Sequence, residues 1–180
     1  MIVGIDPGKT GGIVCLDNSG NFMESFIIPK IEGDIDMVAF ANIFHQLAEH
    51  NPSMHVFVED VHAIYGSSAG ATFSFGKICG QIEMGLYTCF LPHTYVQPKA
   101  WQKVMFAEVE EVRKPSKINK KGKEIKGRRD TKAMAELSYK KYFPDVNFYF
   151  TEKGNKSKNV HDGLVDAILI AEWGRREINK

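Results

Sequence analysis

Four acidic residues of this 180-residue chain stand where an ionised carboxylate needs a partner. Asp6 closes the apolar run Ile2-Val3-Gly4-Ile5, and Glu59 closes a second run, Val56-Phe57-Val58. Runs of this kind read as strands buried on both faces. Asp162 and Asp166 lie four apart in residues 160–175, where Leu164, Val165, Ala167, Ile168, Ile170 and Ala171 mark a mostly buried helix. Residues at that spacing share a helix face, and like charges there repel. A carboxylate at the edge of an apolar element is costly unless something compensates it. For Asp6 that could be a metal ion or backbone N–H groups in the following turn, and Asp162 could be a helix N-cap. Asp166, inside the helix, is harder to explain without a cation shared with Asp162. Carboxylate oxygens suit Mg²⁺, and no Cys or paired His at zinc-ligand spacing accompanies them. Four acids can hold two divalent ions, with Mn²⁺ as a substitute, and such a pair activates water against a phosphodiester and stabilises the leaving 3′ oxygen.

The turn after the first strand, Pro7-Gly8-Lys9-Thr10-Gly11-Gly12, admits rival readings. Gly8-Lys9-Thr10 has the ending of a P-loop, but Val3 stands where that loop needs its first glycine. The stretch also resembles the phosphate hairpin of actin-like and sugar-kinase ATPases. Those folds need a duplicated domain, and 180 residues is short for two.

The positioning elements follow in order. Residues 1–6, 11–17 and 21–28 form an antiparallel meander, with the turn Asp17-Asn18-Ser19-Gly20 between the last two. A helix capped by Asp34 or Asp36 runs to about Glu49, with Met37, Val38, Phe40, Ala41, Phe44, Leu47 and Ala48 as its apolar stripe. The strand at 54–61, entered after a helical crossover, pairs parallel with the first strand, which puts Glu59 at the same end as Asp6. Strand alternation sends Asp60 to the other face. A loop at 65–70 leads to a helix at 71–88 whose Gly76, Gly80 and Gly85 suit close approach; Phe73 and Phe75 at its start read as core or as wedges against a nucleobase. A short fifth strand at 94–96, a short helix with Trp101, Val104 and Met105, and a helix at 131–142 precede the last helix.

Composition is that of a soluble globular chain, 43% hydrophobic and 25% charged. One domain over 1–180 is expected, with neither a membrane span nor a signal peptide. Cys15, Cys79 and Cys89 read as buried free thiols of a reducing compartment, the cytoplasm. The charge is uneven. Residues 111–132 hold ten Lys or Arg against three acids, a local +7 in a chain of net +1, so the remainder sums to −6. A basic arm on an acidic body suggests an arm that meets a polyanion, and Lys114, Lys117, Lys120, Lys121, Lys123, Lys126, Arg128 and Arg129 are its candidate DNA contacts. A solvated loop with no partner is the alternative.

At GIDPG (4–8), VEDV (58–61), SFGKICGQIEMGL (74–86) and HDGLVDAILIAEW (161–173) the chain resembles the RuvC-like Holliday-junction resolvases of the RNase H-like superfamily, especially short bacteriophage forms. The order of acids, strands and helices agrees over nearly the whole length. The resemblance implies an α/β fold with a five-stranded mixed sheet flanked by helices, a homodimer, and paired nicks in four-way DNA junctions. It implies Asp6, Glu59, Asp162 and Asp166 as catalytic metal ligands, acting in recombination or in the processing of branched DNA. Bacterial members commonly space the last two acids by three residues, whereas here the spacing is four. His161 precedes the pair and is either a metal or water ligand or an ordinary surface imidazole. A non-catalytic junction-binding protein, in which the acids are caps, is the further alternative.

Overall fold

A computed structural model describes residues 1–8, 10–50, 53–62, 68–118, 122–150 and 156–180, without the side chain of His50. Lys9, the turn at 51–52, residues 63–67 with half of the 65–70 loop, residues 119–121 with Lys120 and Lys121 of the arm, and residues 151–155 lie outside the described residues.

Three strands open the chain as the expected meander: β1 (Ile2–Asp6), β2 (Gly12–Leu16) and β3 (Phe22–Ile27). A short hairpin, β4 (Lys30–Ile31) and β5 (Asp34–Ile35), follows. Then come α1 (Met37–His50), β6 (His55–Glu59), α2 (Ala69–Thr88), β7 (His93–Val96) and α3 (Pro98–Met105). The basic segment forms a ribbon, β8 (Lys117–Ile118) and β9 (Glu124–Ile125), ahead of α4 (Thr131–Tyr142) and α5 (Asp162–Ile178). The five-stranded mixed sheet has the order β3-β2-β1-β6-β7. β1 pairs antiparallel with β2 and parallel with β6, and β6 pairs parallel with β7.

Alternation along the strands sorts two cores. Val3, Ile5, Ile13, Cys15, Val56 and Val58 face α1 and α2, meeting Phe40, Phe44, Leu47, Ile78, Ile82 and Leu86. Ile2, Val14, Leu16 and Phe57 face α3, α4 and α5, meeting Trp101, Met105, Met134, Tyr139 and most of α5. Asp36 caps α1, accepting from Val38 and Ala39 N–H. Of the stripe expected on α1, Met37 and Val38 are exposed, because the first turn of the helix extends past the core that holds Phe40 and Phe44. A Cβ on Gly85 would stand 3.3 Å from the Phe40 ring, the close approach expected of it, whereas Gly76 and Gly80 face open space. Cys15 is buried; Cys79 and Cys89 are partly exposed. No helix among the described residues is long and apolar enough to cross a membrane.

Candidate active site

Two backbone contacts set the site. β1 and β6 lie in parallel register, Ile5 beside Val58, so both strands end together. Asp6 follows Ile2 and Gly4 in the alternation and Glu59 follows Phe57, so both acids project toward α5. α5 then approaches until main chains touch. A Cβ on Gly4 would stand 2.1 Å from the Ala167 carbonyl oxygen, and one on Gly163 would stand 2.2 Å from the Thr10 carbonyl oxygen. Gly11 and Gly163 form an isolated parallel bridge. Glycine on both sides of this contact lets the first turns of α5 lie against the end of β1, beside Asp6.

The carboxylates sense one another. Burial first, then Glu59 and Asp162, push Asp6 up from 3.8 to about 7, although a Gly8 backbone N–H donates to it. Burial holds Asp166 well above the usual carboxylate range, with Asp6, Glu59 and Asp162 adding to the shift. Burial also raises Glu59, and the Trp101 indole N–H, donating to its Oε1 at 2.8 Å, draws it back. Asp6, Glu59 and Asp166 are partly buried and Asp162 is exposed, so the cluster has a floor and an open rim. Among the described residues no three His, Cys, Asp or Glu side chains are drawn tightly enough together to form a ready cage for an ion.

A cation does stand at the rim. The Lys132 ammonium donates to Asp162 Oδ2. That bond, and then the charges of Asp162, Asp166 and Asp6, hold its pKa above the ordinary lysine value. Charge counting pooled Lys132 with the basic arm; the structure places it on α4, facing the acids. Trp101 was read as an apolar helix residue, yet its N–H fixes Glu59. Neither role has a local signal, since both depend on α3 and α4 packing beside α5.

His161 is a helix cap. Its Nδ1 accepts from Leu164 N–H at 3.3 Å, and the residue is 9% exposed, which overturns the surface-imidazole reading. With His161 at the N-cap, Asp162 is the first residue of α5, and the alternative that Asp162 is the cap is also overturned. Asp60 lines a cleft of about 280 Å³ at the sheet end together with Glu59, Cys79, Glu83 and Tyr95. Phe73 is 76% exposed on the first turns of α2, at the same end of the sheet as the acids, and Phe75 is partly buried.

The arm is rooted beside the site. Asp130 N–H donates to the Val112 carbonyl at 2.8 Å and Lys114 N–H to the Arg128 carbonyl at 2.9 Å. Val112 packs on the core, and Asp130 caps α4 two residues before Lys132. Lys114, Lys117, Lys126 and Arg128 line one open groove. The segment therefore departs from the alternative of a plain solvated loop: paired main chain holds its base and β8–β9 its outer part.

No protein-family model matches the chain, and no curated protein matches it. Solved structures do. RuvC of Thermus thermophilus is 14% identical, with a TM-score of 0.56 over 98% of this chain and 97% of that one. T. thermophilus RuvC in complex with Holliday junction substrate is 11% identical, with a TM-score of 0.56 over 97% and 94%. The chain has the RuvC-like, RNase H-like fold.

Proposed function

We propose that this protein is a metal-dependent, structure-selective endonuclease that resolves four-way DNA junctions. The observation that carries the reading is the meeting of Asp6, Glu59, Asp162 and Asp166 at one end of a RuvC-like sheet, beside the root of a basic arm.

The donor set suits Mg²⁺, or Mn²⁺ in its place: it is all oxygen, and the acids raise one another's pKa for want of enough positive charge between them. When bound, the ions supply an activated water and neutralise charge on the phosphodiester. The chain supplies the rest. Asp6 and Glu59 are carried by strand ends and Asp162 and Asp166 by α5, so the backbone brings the four acids to one end of the sheet, and bound ions would have to draw their side chains together. The Trp101 indole N–H anchors one oxygen of Glu59. Lys132 offsets the acids while the site is open. Arm cations meet phosphates, adding affinity with little sequence preference. Phe73, 76% exposed, is the side chain proposed to stack on a base.

Two nicks related by symmetry call for two copies of the site. The outer face of α2, with Gly76 and Gly80 open and Met84 and Tyr87 exposed, is the proposed homodimer surface. The actin-like ATPase reading loses its footing, since the described residues form one five-stranded sheet and two two-stranded ribbons rather than a duplicated domain.

A labelled four-way junction incubated with Mg²⁺, Mn²⁺ or EDTA tests the proposal. Paired nicks are expected with either metal and none with EDTA. Asp6→Asn and Asp166→Asn are expected to bind junctions and leave them whole. Normal cutting by either variant would remove these residues from the mechanism, and ATP turnover without nicking would refute the reading outright.

A further inference from the structure

The arm carries two side chains that its charge does not explain. Ile118 is 77% exposed and Ile125 is 55% exposed, among lysines and arginines. In the β8–β9 register Lys117 faces Ile125 and Ile118 faces Glu124. Cross-strand partners share a face and successive residues alternate. One isoleucine therefore projects from each face of the ribbon, and neither contributes to a core. A two-stranded ribbon with no buried face gains little stability by itself. Its stem is nonetheless fixed: Arg113 and Arg129 bridge, Arg113 donates to the Gly127 carbonyl at 3.2 Å, and Glu111 pairs with both arginines. The ribbon is thus held out on a stem rooted at the start of α4, with an apolar side chain on each face, lysines and arginines around it and one acid, Glu124, opposite Ile118.

We infer that this ribbon enters the opening at the branch point of a DNA junction, laying Ile118 and Ile125 against exposed base-pair faces on its two sides. Lys114, Lys117, Lys126 and Arg128 meet the flanking phosphates. The inference rests on the junction reading above. Intact duplex covers its base-pair faces by stacking and shows a protein only base edges and phosphates. A branch point offers uncovered, apolar base-pair faces on both sides of one opening, surrounded by phosphates. That pattern complements a ribbon with apolar faces and a cationic surround, and aliphatic wedges against base steps are an established way to open DNA. The isoleucines then supply preference for branched over linear DNA, and the cations supply affinity for both.

The test uses the full chain in EDTA, with 2-aminopurine at the branch-point pairs of a four-way junction and a linear duplex of the same sequence for comparison. Binding of the unaltered protein is expected to raise the 2-aminopurine fluorescence. The double variant Ile118→Ser, Ile125→Ser should lose that rise and bind the junction roughly tenfold more weakly, as expected for loss of two apolar contacts. Its affinity for duplex and the salt dependence of binding should be unchanged. Lys117→Ala with Lys126→Ala should weaken both DNAs alike and flatten the salt dependence. A serine variant that keeps the fluorescence rise and full junction preference overturns the inference, as does one that loses duplex and junction binding equally. If the unaltered protein shows no preference for junctions, the functional reading itself falls; if it prefers and nicks them while the serine variant behaves the same, only the wedge falls.

Discussion

Replacing Asp6 by Asn should make the metal-free protein more stable at alkaline pH. Asp6 is held at about 7 in the fold, against an ordinary 3.8, by burial and by Glu59 and Asp162. A tenfold change in proton affinity is about 1.4 kcal/mol, so keeping Asp6 ionised above pH 7 costs the fold about 4 kcal/mol. The folded value lies above the unfolded one, so the cost is absent in acid, grows as pH rises through the interval, and is complete above about 7. Asn carries no charge at any of these pH values, and its carbonyl still accepts from the Gly8 N–H. In EDTA at pH 8, Asp6→Asn should melt roughly 10 °C higher, taking about 2–4 °C per kcal/mol for a chain of this size. At pH 4 the two proteins should melt together. Mg²⁺ should raise the melting temperature of the unaltered protein, more strongly above pH 7 because bound carboxylates must be ionised, and should leave the variant nearly unmoved. Circular-dichroism melts at the two pH values read all of this. An Asp6→Asn protein that melts at or below the parent at pH 8 without metal, or whose gain is the same at pH 4, would show that the acids do not strain one another.

Lys132→Met should tighten Mn²⁺ binding several-fold in titration calorimetry, because the ammonium competes for Asp162; its effect on stability should stay under about 1 kcal/mol, since the pair is largely solvent-exposed. Trp101→Phe should cost about 1.5–3 kcal/mol in urea unfolding near neutral pH and less in acid, where a protonated Glu59 no longer needs the donor as a carboxylate does; a loss independent of pH would reduce Trp101 to packing. Gly4→Ala should destabilise by about 3 kcal/mol or more, as the new methyl meets the Ala167 carbonyl. Gly76→Ala, with open space at its Cβ, should instead gain up to about 1 kcal/mol.

Much of the arrangement of the acids was readable from one dimension. Two apolar runs ending in acid, joined through a helical crossover, required parallel pairing, which put Asp6 and Glu59 at one end of the sheet. Asp166 inside an apolar helix was conspicuous because an aliphatic environment makes a charge expensive. Trp101 and Lys132 stayed hidden for the opposite reason: an indole in an apolar helix and a lysine after a basic run are ordinary until α3 and α4 bring them against Glu59 and Asp162. Met37 and Val38 misled because helical spacing gives a face but not how far along the helix that face is covered. The β8–β9 ribbon was obscured by composition, since its pairing rests on main-chain bonds that a count of charges does not register.

The main-chain contact between Gly11 and Gly163 also sets what the site depends on. Where helices are spaced by interlocking aliphatic side chains, each substitution nudges the spacing. Here the distance from α5 to the turn entering β2 is the thickness of two peptide backbones. Aliphatic residues elsewhere in the interior can therefore drift in size and shape while this spacing stays the same, whereas one methyl group on Gly163 would press on the Thr10–Gly11 backbone and alter it at once.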